Sequence, residues 1–408
     1  MGSYLTSPLK YVKVYWANYY QKITERHERN MVDYQLIEVI KSILYDGSFN
    51  PVNIGNWSTL LSSARTHGLL PCVAYYSELL SGNLKPEEKI ASYLKSILMK
   101  STYLSTNQIL AAQEIQKTFE ENQVYNLVVK GIKTKMRYPS DILRSMGDID
   151  ILYKTDQHKR VYDLMMNTLG YDDYQEGRKN DTYTRDKYIV VEAHRQLVST
   201  ESEFIDYLDG VWDRAVPCKD QAYTCEMTVE DEFIYNIIHL VEHFKHGGVG
   251  VRFIMDIWVY NQTEMNRQYL KDELVKLNLY DFYLTISSLA EYWFGEGEST
   301  ELLEKLGEFI FSSGVFGNHE NSSALAVEDG GRLKTLIKIC FPSYKEMASM
   351  FLWLKKYPFL LPVSWVIRAF RSITRRKANV RIQLQNLKEG DIEKGKQIKE
   401  FYKECGLN

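Results

Sequence analysis

Three short apolar runs constrain the fold more than any other feature of this chain. They are YNLVVKG (125–131), DIDILYK (148–154) and YIVVEAH (188–194). Each is too short for a buried helix, is rich in isoleucine, leucine and valine, and ends at a glycine, lysine or histidine, as a buried strand does. Between the first two, IKTKMRYP reads as a short helix halted by Pro139, and DILRSMG as a loop. Between the second and third, DQHKRVYDLMMNTLGY has helical spacing closed by Gly170. The spacing predicts a strand–helix–strand–helix–strand unit.

The flanks are helical. LIEVIKSILYDG (36–47) carries apolar residues at helical spacing and stops at Gly47. Asn56 is placed to cap a helix before Leu60, Leu61 and Ala64; a break at Gly68–Pro71 precedes a second helix. Residues 85–124 read as one or two long helices. TVED (228–231) resembles a capping box opening EFIYNIIHLVEHFKH, and VRFIMDIWVYN follows a glycine break. Residues 314–332 read as a polar, glycine-bearing loop. The expected class is α+β, a small mixed-sheet core flanked by N- and C-terminal helical regions, divided at 1–110, 111–225 and 226–408.

Asp148 and Asp150 are separated by one isoleucine, so a strand turns both to one face. Two carboxylates that close repel unless a positive group lies between them. A divalent cation such as Mg²⁺ or Mn²⁺ would supply it, sharing its shell with substrate phosphates. A third carboxylate on a neighbouring strand is then expected. Glu192 fits, with His194 two residues on. The plainer readings are a turn or strand edge for the Asp-x-Asp, an exposed strand position for Glu192, a solvated Lys130, and an Arg144 paired with Asp141 or Asp148.

The ordered set VVKG, YP, LRSMGDIDILY and VVEAH resembles the bacterial family of uncharacterised nucleotidyltransferases, within the DNA polymerase β-like superfamily. NWSTLLSSARTHGLLPCVAYYSEL, HLVEHFKHGGVGVRFIMDIWVY and YPFLLPVSWVIRAFR extend the resemblance to about 35–375. It implies Asp148, Asp150 and Glu192 as catalytic metal ligands, with Glu192 able to accept a proton from the attacking hydroxyl. It implies a nucleotide-binding set of Lys130, Gly131, Arg144, His194 and His239. Gly131 would admit phosphates close to the backbone, while Lys130 and Arg144 would neutralise them. The implied reaction moves a nucleoside monophosphate from a nucleoside triphosphate to a hydroxyl acceptor, releasing pyrophosphate. The acceptor could be a small molecule, a sugar or a protein. One departure stands out: the superfamily loop reads Gly-Gly or Gly-Ser, but here Ile132 follows Gly131. That departure leaves open a catalytically weakened, nucleotide-binding regulatory relative.

HLVEH (239–243) also spells the inverted zinc-peptidase motif, which would make the chain a zinc hydrolase with a third ligand elsewhere. The other readings put one or two of these histidines in the nucleotide or acceptor cleft, or in structural hydrogen bonds. Arg252 and Asp256, four apart, read as a helix pair.

Fifty basic against 53 acidic residues give a net charge of −3, with no global pull towards nucleic acid. Five scattered cysteines and no signal peptide point to reduced thiols and a cytoplasmic home. The most apolar stretch, YPFLLPVSWVI, is too short to span a bilayer. The basic run RAFRSITRRKANVR after it reads as a solvated helix face or an anionic-membrane contact. The opening MGSYLT matches the myristoylation pattern by letters alone.

Overall fold

The computed structural model describes residues 33–44, 49–177, 179–314, short stretches between 317 and 351, 353–375 and 392–407. The MGSYLT start, Gly47, and Arg376, Lys377 and Arg381 of the basic run lie outside them, as does most of the 314–332 loop beyond residue 325.

Residues 33–44 are helical. The helix Trp57–Thr66 is capped by Asn56, whose side chain accepts from the Thr59 amide, and Leu70–Leu79 follows a turn at Gly68. Residues 85–124 yield one long helix, α1 (Glu88–Glu121). It runs through residue 110 and serves two cores. Leu94 packs with the helical cluster, whereas Ala111, Ala112, Ile115 and Phe119 pack on the sheet.

The three predicted strands form as β1 (Asn126–Val129), β2 (Ile149–Tyr153) and β5 (Ile189–His194). The helix α2 (Gly131–Lys135) follows β1, and α3 (His158–Asp163) continues into a wider turn, Leu164–Thr168. Two further strands, β3 (Asp173–Gln175) and β4 (Asn180–Arg185), complete a sheet of order β1-β2-β5-β4-β3. β2 and β5 are parallel, and the other neighbours are antiparallel. The sequence reading missed the β3–β4 pair because DYQ and NDTYTR are polar and show little apolar alternation. Tyr174 and Tyr183, with ring centroids 5.1 Å apart, supply the packing instead. The β4–β5 turn also lacks its usual glycine: Asp186 and Lys187 take φ of 55° and 63° themselves.

Side-chain alternation divides the sheet's faces. Ile149, Ile151, Tyr153, Val191 and Ala193 pack against α1 and α3. Leu127, Val129 and Leu152 point the other way, into the larger helical cluster. That cluster includes α4 (Val229–Lys245), capped by Thr228, and α5 (Val251–Asn261). Asp150 and Glu192 share this second face, so the helices after residue 228 roof it.

Candidate active site

The β2–β5 register sets Asp150 directly opposite Glu192, and Leu152 opposite His194. Neighbouring strands lie about 4.8 Å apart, so facing side chains meet. Asp150, Glu192 and His194 each offer one ligand atom, all within 4.8 Å of one another. His194 Nε2 lies 2.8 Å from Asp150 Oδ1 and 3.4 Å from Glu192 Oε2. Its Nδ1 is buried without a hydrogen-bond partner.

Lys130 enters from the end of β1, whose Val129 pairs with Asp150. Its backbone takes φ 49°, a left-handed conformation unusual for lysine, and Nζ sits 2.9 Å from Asp150 Oδ1. Burial works to raise the Asp150 pKa, but the Lys130 charge and the His194 hydrogen bond outweigh it and hold the carboxyl well below the usual range. The Glu192 carboxyl is also lowered, chiefly by its hydrogen bond to His194. Burial of the Lys130 ammonium is in turn outweighed by Asp150, which drives its pKa up.

Asp148 lies one residue before β2 and is half-buried. The site's ion pairs run through Asp150 and Glu192, not through it. Burial, then the Asp150 and Glu192 charges, raise its pKa. The two carboxylates of the Asp-x-Asp are therefore pushed apart: one is compensated from within the chain and the other is not. Asp150 and Glu192 provide the oxygen donors a hard divalent cation takes, and the uncompensated Asp148 is the further charge such an ion would neutralise.

The other expected residues lie at different distances from this centre. Arg144 forms a buried fork with Asp256 of α5, Nε–Oδ1 3.2 Å and Nη2–Oδ2 3.0 Å; the Tyr138 hydroxyl donates to the same carboxylate at 2.6 Å. Its remaining Nη1 faces Gly131. A Cβ on that glycine would come within 3.1 Å of Arg144 Nη1 and of Met146. Gly131 thus allows close packing of the 144–147 loop, which delivers Asp148. Ile132 is buried in the core beneath the sheet, on the side away from the acids.

His239 is partly buried, its ring edge-on to His243 at 4.5 Å and 5.8 Å from Phe253. Burial, then the Lys130 charge, holds its pKa well below the ordinary value, so the ring is neutral. His239 and His243 do not belong to the ligand-atom group formed by the described residues, and Glu242 accepts a hydrogen bond from Ser202 at 2.6 Å.

Two cations of this region were not foreseen as site residues. Arg252 donates to the Ser145 carbonyl at 3.0 Å, and its expected partner Asp256 is taken by Arg144. Burial, then the Arg144 charge, lowers its pKa. Lys179, just before β4, is lowered by burial and by Lys130, with Glu192 and Glu242 opposing. The sequence gave little sign of Lys179, which sits in the polar GRKND stretch. Arg252 was visible, but four-residue spacing assigned it the wrong partner.

No curated protein and no solved structure matches the chain. The family model for uncharacterised nucleotidyltransferases matches residues 54–295, a span running from before the helix Trp57–Thr66 to the residue after Phe294. It contains the whole sheet, α4 and α5, and excludes YPFLLPVSWVIRAFR. This chain therefore belongs to the uncharacterised nucleotidyltransferase family.

Proposed function

We propose that the protein transfers a nucleoside monophosphate from a nucleoside triphosphate to a hydroxyl of a small molecule, sugar or protein. Pyrophosphate leaves, and the reaction depends on Mg²⁺ or Mn²⁺. The observation that carries this reading is the Asp150–Glu192 register across β2 and β5, with Asp148 beside it.

Asp148, Asp150 and Glu192 would hold the cation, which supplies charge neutralisation on the reacting phosphates. Glu192 keeps part of its side chain in reach of solvent and has a lowered pKa, so it is ionised at neutral pH. It can take the acceptor hydroxyl proton as the new oxygen–phosphorus bond forms and the bond to pyrophosphate breaks. Lys130 and Lys179 would face the phosphates, with Arg252 beside them. Arg144 acts through Asp256 as a positioning residue for the Asp148 loop. His194 orients Asp150 and Glu192 together.

A second reading, a nucleotide-binding regulator without turnover, draws on one observation. Lys130 already neutralises Asp150 from within the chain. Incubating the protein with each nucleoside triphosphate, Mg²⁺ and a panel of hydroxyl acceptors, and measuring pyrophosphate, separates the two. Release lost in Asp150→Asn supports transfer; saturable nucleotide binding without release across the panel supports the regulator. Absence of both binding and release defeats both readings.

A further inference from the structure

The C-terminal segment outside the family match carries a helix with its apolar stripe turned outward. In α6 (Leu361–Arg375), Ser364 is buried, and the Trp365 indole N–H donates to the Pro342 carbonyl at 2.9 Å. Trp365 and Ile367 pack on a small cluster of Met347, Phe351 and Leu354. Val363 and Val366, on the other side, are 48% and 69% exposed, and Phe359 just ahead is 76% exposed. A soluble helix normally buries such a stripe. Among the described residues, nothing covers this one. In sequence, Phe370 and Ile373 continue the same three-and-four spacing.

The charge of the surrounding stretch identifies the kind of surface that fits. From residue 347 to 388 the sequence holds nine Lys and Arg and no Asp or Glu, in a chain that is net negative. Exposed aliphatic and aromatic side chains beside a basic run match the two demands of an anionic bilayer surface, apolar depth and headgroup charge. Nucleic acid would use the charge but offers no apolar depth for Val363, Val366 and Phe359. No helix of the described residues is long and apolar enough to cross a membrane, so the contact would be made along the interface.

We infer that α6 and the basic run after it dock this protein on an anionic lipid surface, with Phe359, Val363 and Val366 entering the headgroup boundary. The full chain should float with vesicles of mixed phosphatidylglycerol and phosphatidylcholine, and not with phosphatidylcholine alone. Added salt should weaken the binding. Phe359→Glu with Val366→Glu replaces two exposed residues, so the melting temperature should be unchanged while vesicle partition falls on the order of ten-fold. Val366→Glu alone should show a smaller loss in the same direction. Four outcomes overturn the inference. The double variant floats as wild type. Duplex DNA binds wild type and double variant equally and strips both from vesicles. The wild-type chain is a monomer that does not float, the stripe being covered by its own chain. Or it is a dimer that does not float and that the double substitution splits, the stripe being covered by a second copy.

Discussion

Lys130 Nζ stands 2.9 Å from Asp150 Oδ1, both side chains nearly withdrawn from water. This ion pair answers the repulsion built into the Asp-x-Asp without an added ion. It also makes the two aspartates unequal, because Asp148 has no such partner and its pKa is raised where that of Asp150 is lowered.

The inequality predicts opposite stability effects for one substitution. Asp150→Asn leaves the Lys130 ammonium buried without its counter-charge and should destabilise by about 3 kcal/mol. Asp148→Asn removes a charge that burial and two acids disfavour, so it should leave stability unchanged or slightly higher. Both should abolish Mg²⁺-dependent pyrophosphate release. Denaturant melts of the two variants side by side test this; equal losses of stability would contradict the asymmetry.

How much was legible beforehand follows from what each residue contacts. The strands β1, β2 and β5 were visible because both of their faces meet apolar neighbours, leaving continuous apolar runs. β3 and β4 were not, since their packing rests on a few tyrosines among polar residues. Asp148, Asp150 and Glu192 were found from period-two spacing, which places residues on faces. Spacing says nothing of a partner a hundred residues away. Arg144 was therefore read as a phosphate ligand and Arg252 as the partner of Asp256, whereas the fold joins Arg144 to Asp256 across 112 residues. The Ile132 departure likewise looked like a missing phosphate contact. Its side chain instead belongs to the core under the sheet.

The Arg144–Asp256 fork gives a second prediction. Arg144→Ala would strand a buried carboxylate and cost about 3–5 kcal/mol, and Arg144→Lys would lose the two-point geometry. Pairing Arg144→Ala with Asp256→Asn should recover part of the loss, a coupling readable in a double-mutant cycle. Nucleotide affinity lost at unchanged stability would instead make Arg144 a direct phosphate ligand.

Lys135 provides a pH signature away from the acids. It is buried, with Nζ donating to Ser105 Oγ at 2.7 Å, and Ser105 donates in turn to Asp141. Burial lowers its pKa to about 8, the nearby Asp141 only partly opposing. Between there and the unfolded value near 10.4, the unfolded chain binds more protons than the folded one. Stability must therefore gain from this group as pH rises above about 8, and its destabilising effect is fully present below that pH. Comparing melts of wild type and Lys135→Met between roughly pH 7.5 and 9.5, below the range where tyrosines ionise, isolates the effect. The variant should lack the upward component; parallel curves would mean Lys135 keeps an ordinary pKa.

Arg252 should separate binding from stability. Its guanidinium is half-buried beside Arg144, lacks the Asp256 carboxylate, and donates only to the Ser145 carbonyl among the described residues. Burial and the like charge make it costly to hold there, as its lowered pKa records. A cation kept short of negative charge beside a triple-acid site is suited to an incoming phosphate, whose charge would relieve that strain. Arg252→Met should therefore keep or raise the melting temperature, because a disfavoured charge is gone. It should weaken nucleoside triphosphate binding by about 1.5–3 kcal/mol, the loss of one charge-assisted contact, or ten-fold to somewhat over a hundred-fold in Kd. Arg252→Lys keeps the charge without the fork and should fall between. Titration calorimetry with Mg²⁺ and nucleotide, run beside thermal melts, reads both quantities from the same preparations. A melting temperature that drops while affinity holds would place Arg252 in the scaffold instead of the phosphate site.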